Sequence, residues 1–213
     1  DGWWDARRLD EFFFQVDAAE LDKAVHDKHL LLNTFKARLF NMQDKDRSKR
    51  VAQCHYDLSN EFYEQMLGPH MQYTCAYWKQ AHTLAEAQEH KLDLICRKLQ
   101  LKKGERVLEL GCGWGGFARF AAANYGCSVV AYNISEQQVA YARRWCAGLP
   151  VEIRLSDYRD ASGEFDKVAA IGICEHVGFK NYRTLMEVAH RTVKPHGLVL
   201  IHSIGNNAST TIG

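Results

Sequence analysis

The sequence has no CxxC pair, no apolar run near the roughly 18–20 residues that cross a bilayer, and almost no net charge; each absence removes a class of protein. Its seven cysteines, at 54, 75, 96, 112, 127, 146 and 174, are odd in number and widely spaced. That excludes a disulfide framework and a zinc site and implies a reducing cytosol. A formal net charge of +1 offers no basic face, so no nucleic-acid partner is expected. The start, Asp1-Gly2-Trp3-Trp4, lacks the charged and apolar regions of a signal peptide. The expectation is a soluble or membrane-peripheral protein. A first residue other than methionine, and an end just past a strand, suggest a fragment of a longer chain.

At 213 residues and 46% hydrophobic content, the chain suffices for one α/β domain with an appendage. Residues 1–53 are helical in character, with apolar faces at Leu9, Phe12, Phe13 and Val16, then at Leu30, Leu31, Phe35, Leu39 and Phe40. Trp3, Trp4, the Phe12–Phe14 run and the basic Lys45, Arg47, Lys49 and Arg50 suit a surface lying on lipid head groups. They suit core aromatics and a solvated face as well. Residues 71–78 show no period and are expected to form a loop or lid. Thr83 to Leu99 carries Leu84, Ala87, Lys91, Leu94, Ile95 and Lys98 at helical steps.

From Val107 the chain alternates. Strands are predicted at 107–110, 127–132, 151–155, 167–173 and 198–204, with helices after the first loop, at 135–146 and at 182–193, the last closed by Lys194-Pro195-His196-Gly197. Such alternation implies a parallel sheet with right-handed crossovers and a ligand at the strands' carboxyl ends. Around Val107 to Gly116 the order is apolar strand, then glycine at 111, 113, 115 and 116, then a helix. Bare backbone and helix amides there let a ligand come close. A glycine loop alone is a weak signal; Glu109, two residues before Gly111, suits a cationic amino-acid tail better than a pyrophosphate.

The other strand ends carry polar groups: Asn133-Ile134, Asp157-Tyr158, Cys174-Glu175-His176 and His202-Ser203-Ile204. Where dehydrogenases place an acid for the ribose, this chain has Tyr132-Asn133, with Gln138 a turn later. Gln138 is either a ribose contact or, in Ser135-Glu136-Gln137-Gln138, part of a capping box. Asp157 either accepts an adenine amine or caps the turn after strand three.

The motifs HYDLSNEFY, QYTCAYW, VLELGCGWGG, DYRD, ICEHVG, NY and IHSIG, in this order, resemble those of the cyclopropane-fatty-acyl-phospholipid synthase family and its mycolic-acid relatives. The resemblance implies a Rossmann-like class I fold of S-adenosyl-L-methionine (SAM)-dependent methyltransferases. Strands one to five would be present, the carboxyl-terminal strands missing, and a helical segment in front. Residues 1–70 would be a lipid-proximal segment and 71–213 the methyltransferase domain. The implied reaction transfers a methylene from SAM to the cis double bond of an unsaturated phospholipid acyl chain, through a carbocation, with bicarbonate as the base. The family's base site maps onto Cys75, Glu175, His202 and the backbone of Ile204, with Cys75 a neutral thiol donor. Tyr73 and Thr74 would contact the methionine part of SAM, and Glu109, Gly111, Gly113, Gly115, Asn133, Ile134, Gln138, Asp157 and Tyr158 the rest.

Aligning a weak alkene nucleophile with a sulfonium and shielding a cation are tasks suited to aromatic faces, for which Tyr73, Tyr77, Trp78, Trp114 and Tyr182 are candidates. An anion beside Glu175 requires a shared proton or a donor at His202, so perturbed titration is expected among Cys75, Glu175 and His202. Peripheral contact with the inner face of the membrane is implied, and a homodimer is left open. The alternatives are a sister reaction giving methyl-branched or hydroxylated chains, an amine methyltransferase, and a non-catalytic SAM-binding fragment. The amine reading is disfavoured because the stretch after strand four, CEHVGF, has no proline.

Overall fold

The computed structural model describes residues 5–19, 44 and 60–205. Trp3, Trp4, the apolar positions between 30 and 40 and the basic cluster from 45 to 50 lie outside them. Helix α1 (Leu9–Ala18) has Asp10 and Glu11 in its first turn, where the helix dipole favours them. Leu9, Phe13 and Phe14 on it are exposed. It belongs to a different compact unit from the sheet.

The sheet unit includes α2 (Asn60–Leu67), a 3-10 turn (Gly68–His70) and then irregular chain to Thr83, as the aperiodic sequence predicts. Helix α3 (Leu84–Lys98) starts at a full capping box: Glu86 N–H donates to Thr83 Oγ1 at 3.3 Å and Thr83 N–H donates to Glu86 Oε2 at 3.1 Å. There follow β1 (Arg106–Leu110), α4 (Gly116–Tyr125), β2 (Ser128–Asn133), α5 (Glu136–Trp145), β3 (Val151–Leu155), β4 (Phe165–Ile171), the one-turn α6 (Cys174–Val177), α7 (Tyr182–Thr192) and β5 (Val193–His202). Every strand pairing is parallel, in the order β3-β2-β1-β4-β5. This is the Rossmann-like arrangement expected of the fold class.

The chain moves outward from β1 to β3 and then returns to the other side of β1. The order therefore reverses between β1 and β4, and the crevice belongs at their carboxyl ends. Strand β1 is buried from Val107 to Leu110 because both faces are covered. Val107 joins a cluster with α3 and α4 through Leu92, Ile95, Phe117 and Ala121; Leu108 and Leu110 join another with α7 through Leu185 and Val188. Each such leucine contributes about 2 kcal/mol of burial.

Three boundaries differ from expectation. Strand β4 stops at Ile171 because Gly172 takes φ 65°, so Cys174-Glu175-His176 sit on α6 rather than at a strand end. The Lys194–Gly197 turn interrupts β5 instead of preceding it: pairing jumps from Phe165–Val193 to Lys167–Leu198, with His196 at φ 64°. Strand β5 ends at His202, opposite the last residue of β4, leaving Ile204 in the following segment. No helix among the described residues is long and apolar enough to cross a membrane.

Candidate active site

A cavity of about 570 Å³ opens where the strand order reverses, and every expected cofactor residue except Gly115 lines it. The loop glycines divide the work. Gly111, at φ 81°, has no room for a Cβ, which would lie 2.9 Å from Ile173 Cδ1. Gly113, at φ 52°, faces open space, so a ligand can approach its backbone. Gly115, at φ 87°, caps α4, and a Cβ there would meet Ala142 Cβ at 3.0 Å: it lets α4 and α5 touch.

At the end of β2, Ser135 Oγ accepts from Gln138 N–H at 3.3 Å and caps α5. The reciprocal half of a capping box is missing, since Ser135 N–H donates to Asn133 Oδ1 at 3.0 Å. The Gln138 side chain instead accepts from Asn133 Nδ2 at 2.8 Å, and both residues line the cavity. Asp157 Oδ1 accepts from Arg159 N–H at 2.9 Å and caps a 3-10 turn, and the residue also lines the cavity. The buried Tyr158 also lines the cavity there.

Glu109 is 2% exposed, and its Oε2 is without a hydrogen-bond partner. Burial pushes its carboxyl up to about 8, against the pull of the Lys91 ammonium. Lys91 is itself 3% exposed and is drawn down to about 8 by the same desolvation. Its ammonium donates to Gln72 Oε1 and, at 2.8 Å, to Thr74 Oγ1. Sequence reasoning placed Lys91 only as a step on a helix face. A charge within an apolar stripe was the signal that it is buried beside the site.

The four base-site residues come together as two pairs. Cys75 Sγ lies 3.4 Å from His202 Nε2, and Ile204 N–H donates to Glu175 Oε1 at 2.6 Å. The pairs adjoin, because His202 and Ile204 are two residues apart and Gly172 N–H donates to His202 O at 2.9 Å. His202 Nδ1 is buried without a partner. Burial, then the Lys91 ammonium, hold the imidazole below its ordinary value, against Glu175. Cys75, Glu175 and Ile204 are exposed, so this rim is open rather than sealed.

Of the expected aromatics, Tyr73 and Trp114 line the cavity, whereas Tyr77, Trp78 and Tyr182 are exposed and do not. Tyr63, which was not singled out, joins them: its ring centroid is 4.5 Å from Trp114 and 5.9 Å from Tyr73. Trp114 Nε1 donates to Asn60 Oδ1 at 2.9 Å, so α2 helps build the wall.

A family model for mycolic acid cyclopropane synthetase matches residues 43–212. The chain is 50% identical over 207 residues, 97% of its length and 54% of the relative's, to cyclopropane-fatty-acyl-phospholipid synthase of Escherichia coli K12. It is 36% identical over 157 residues to cyclopropane mycolic acid synthase 3 of Mycobacterium tuberculosis, covering 71% of this chain and 55% of that protein. Among solved structures, the cyclopropane synthase MmaA2 of Mycobacterium tuberculosis superposes with a TM-score of 0.69 at 32% identity, covering 73% of this chain and 56% of the other. The mycolic acid cyclopropane synthase CmaA1 complexed with S-adenosylhomocysteine (SAH) and the detergent CTAB gives 0.68 at 32% identity, covering 72% and 55%. The chain spans about half the length of the curated relatives it matches. By the family model and the identity to these relatives, it belongs to the mycolic acid cyclopropane synthetase family.

Proposed function

We propose that this chain carries the cofactor and base sites of an enzyme that adds a methylene group from SAM across the cis double bond of an unsaturated phospholipid acyl chain, closing a cyclopropane ring. The observation that carries the reading is the convergence of Cys75 with His202 and of Ile204 with Glu175, the one of the four that lines the glycine-loop cavity. The wall suits the cofactor: Gly113 leaves space, and Glu109 Oε2 has no hydrogen-bond partner. A bicarbonate suits the rim, since Ile204 N–H already holds a carboxylate oxygen and His202 Nδ1 is unsatisfied.

When bound, SAM supplies the electrophilic methyl and bicarbonate the base. The chain's residues do the rest. Glu109 faces the amino-acid tail, Tyr73 and Thr74 its methionine part, Asn133 and Gln138 the ribose, and Asp157 the adenine amine. The Cys75 thiol and a neutral His202 present donors to an anion, and the Ile204 amide, which donates to Glu175 Oε1, becomes a third where that carboxylate gives it up. Tyr73 and Trp114 offer π faces that attract positive charge on the acyl chain without trapping it.

The reading assigns residues 1–70 to the lipid side and 71–213 to the methyltransferase domain, working peripherally on the cytoplasmic face of a membrane. Exposed Leu9, Phe13 and Phe14 on α1 and exposed Phe62 and Met66 on α2 support lipid contact for the first segment. Incubation of the protein with SAM and unsaturated phospholipid is the test. A product heavier by one methylene and lacking olefinic proton signals is expected. An added methyl with a hydroxyl would establish the sister reaction, and SAM binding with no product on any lipid would leave a binding module only.

A further inference from the structure

The loop that bears Tyr73, Thr74 and Cys75 has no regular structure, yet it supplies both the cofactor wall and the thiol of the base site. What holds it is a row of buried side chains on α3. Gln88 Nε2 donates to Leu67 O at 3.0 Å and to Gln72 O at 3.4 Å; one turn on, the Lys91 ammonium reaches Gln72 Oε1 and Thr74 Oγ1. On the opposite side Thr74 rests against the bare face of Gly172, where a Cβ would overlap its methyl. Gln72 likewise occupies the space over Gly116, and its Nε2 donates to His70 O at 3.1 Å.

We propose that Lys91 is a positioning residue: by gripping Gln72 and Thr74 from behind the cavity wall, its one ammonium sets the cofactor-facing loop and the base site in a single arrangement. The inference deepens the proposed function and rests on it. Lys91 does not itself line the cavity. A buried ammonium is costly unless hydrogen-bonded, and a methionine would fill the same space at lower cost, so a merely structural strut has no need of the charge. Both side-chain partners of the Lys91 ammonium lie in this loop. Thr74 then bridges to Gly172, whose N–H holds the carbonyl of His202, and Cys75 follows onto the imidazole. A displacement at Lys91 is thus passed to both sites through contacts already made.

The charge also reaches beyond the tether. Groups facing it are Glu109 from β1, Cys75 from the loop and His202 from β5. Around His202 stand Cys75, Glu175 on α6 and Lys98 on α3. Removing the ammonium should therefore let His202 take up its proton at higher pH, an effect that packing alone would not produce.

The test compares wild type with Lys91→Met and Lys91→Gln, reading SAH affinity by calorimetry and the His202 titration by NMR, with the His202 signal identified by its loss in His202→Gln. In Lys91→Met, SAH binding should weaken about tenfold, and the His202 midpoint should move up. Lys91→Gln keeps a donor and loses the charge, so the midpoint should move as far while binding falls less. If Lys91→Met does not fold, Lys91→Gln decides alone. Wild-type affinity and an unmoved His202 midpoint in the folded variants would overturn the inference. The titration needs no ligand, so a wild type that binds no SAH would sink the reading of the cavity while the Lys91 inference is still judged by His202.

Discussion

Cys75 Sγ meets His202 Nε2 at 3.4 Å across 127 residues of sequence, which places a loop thiol on the imidazole that ends β5. The contact joins the segment before the sheet to β5, the last strand among the described residues, and it is made on the side of His202 away from its unsatisfied Nδ1.

Burial and the Lys91 ammonium keep His202 below its ordinary 6.5 in the folded state, so the unfolded chain binds more protons in the window beneath that value. The stability owed to neutral His202 is present above 6.5 and is lost as pH falls through the folded value. Thermal melts between about pH 7.5 and about pH 5 should show an acid-side decline that is smaller in His202→Gln.

Glu175 accepts the Ile204 amide at 2.6 Å on the rim and should matter to turnover more than to binding. In the active protein, Glu175→Gln should keep SAM affinity within about twofold and lower turnover by roughly 100-fold, the scale of a lost proton-transfer arrangement. Calorimetry and product analysis separate the two. Full activity would mean that the base site has been misassigned.

Gly113 and Gly115 look equivalent in the motif and are not. Gly113→Ala places a methyl in open space facing the ligand, at a strain of about 1 kcal/mol for the positive φ, and should weaken SAM binding at least about tenfold. Gly115→Ala drives a methyl against Ala142 and Cys146. It should lower stability by about 1–3 kcal/mol while the folded fraction keeps its affinity. Melting and binding measured on both variants check the split.

The contrast shows what sequence reading can reach. Alternating strand and helix periods place β1 to β5 to within a few residues, because central strands buried on both faces read as plain apolar runs such as Val107 to Leu110. The missed boundaries are those set by neighbours: β4 stops where Gly172 adopts φ 65°, and β5 begins early because Val193 pairs with Phe165. The polar residues that line the cavity at the strand ends, Asn133 and Asp157 among them, were legible from the positions of the strands. Tyr63 was not, and Lys91 showed only as a charge within an apolar stripe, since helical spacing says which face a residue occupies and nothing about whether a loop such as 72–75 will fold over it.

Spacing likewise left Gln138 undecided between helix cap and ribose contact, and hydrogen bonding separates the two. Ser135 supplies the cap through its hydroxyl, and the bond it accepts comes from the Gln138 backbone, which any residue provides. Ser135→Ala should therefore cost about 1 kcal/mol, a melting shift of about 2–4 °C, with SAM affinity unchanged. Gln138→Ala leaves that cap in place and removes the amide that accepts from Asn133 at the cavity wall. Its affinity for SAM should fall about tenfold if Gln138 meets the ribose, since a ribose hydroxyl and Asn133 would then both lose a partner. Equal affinity in wild type and Gln138→Ala would return Gln138 to a purely structural place at the start of α5.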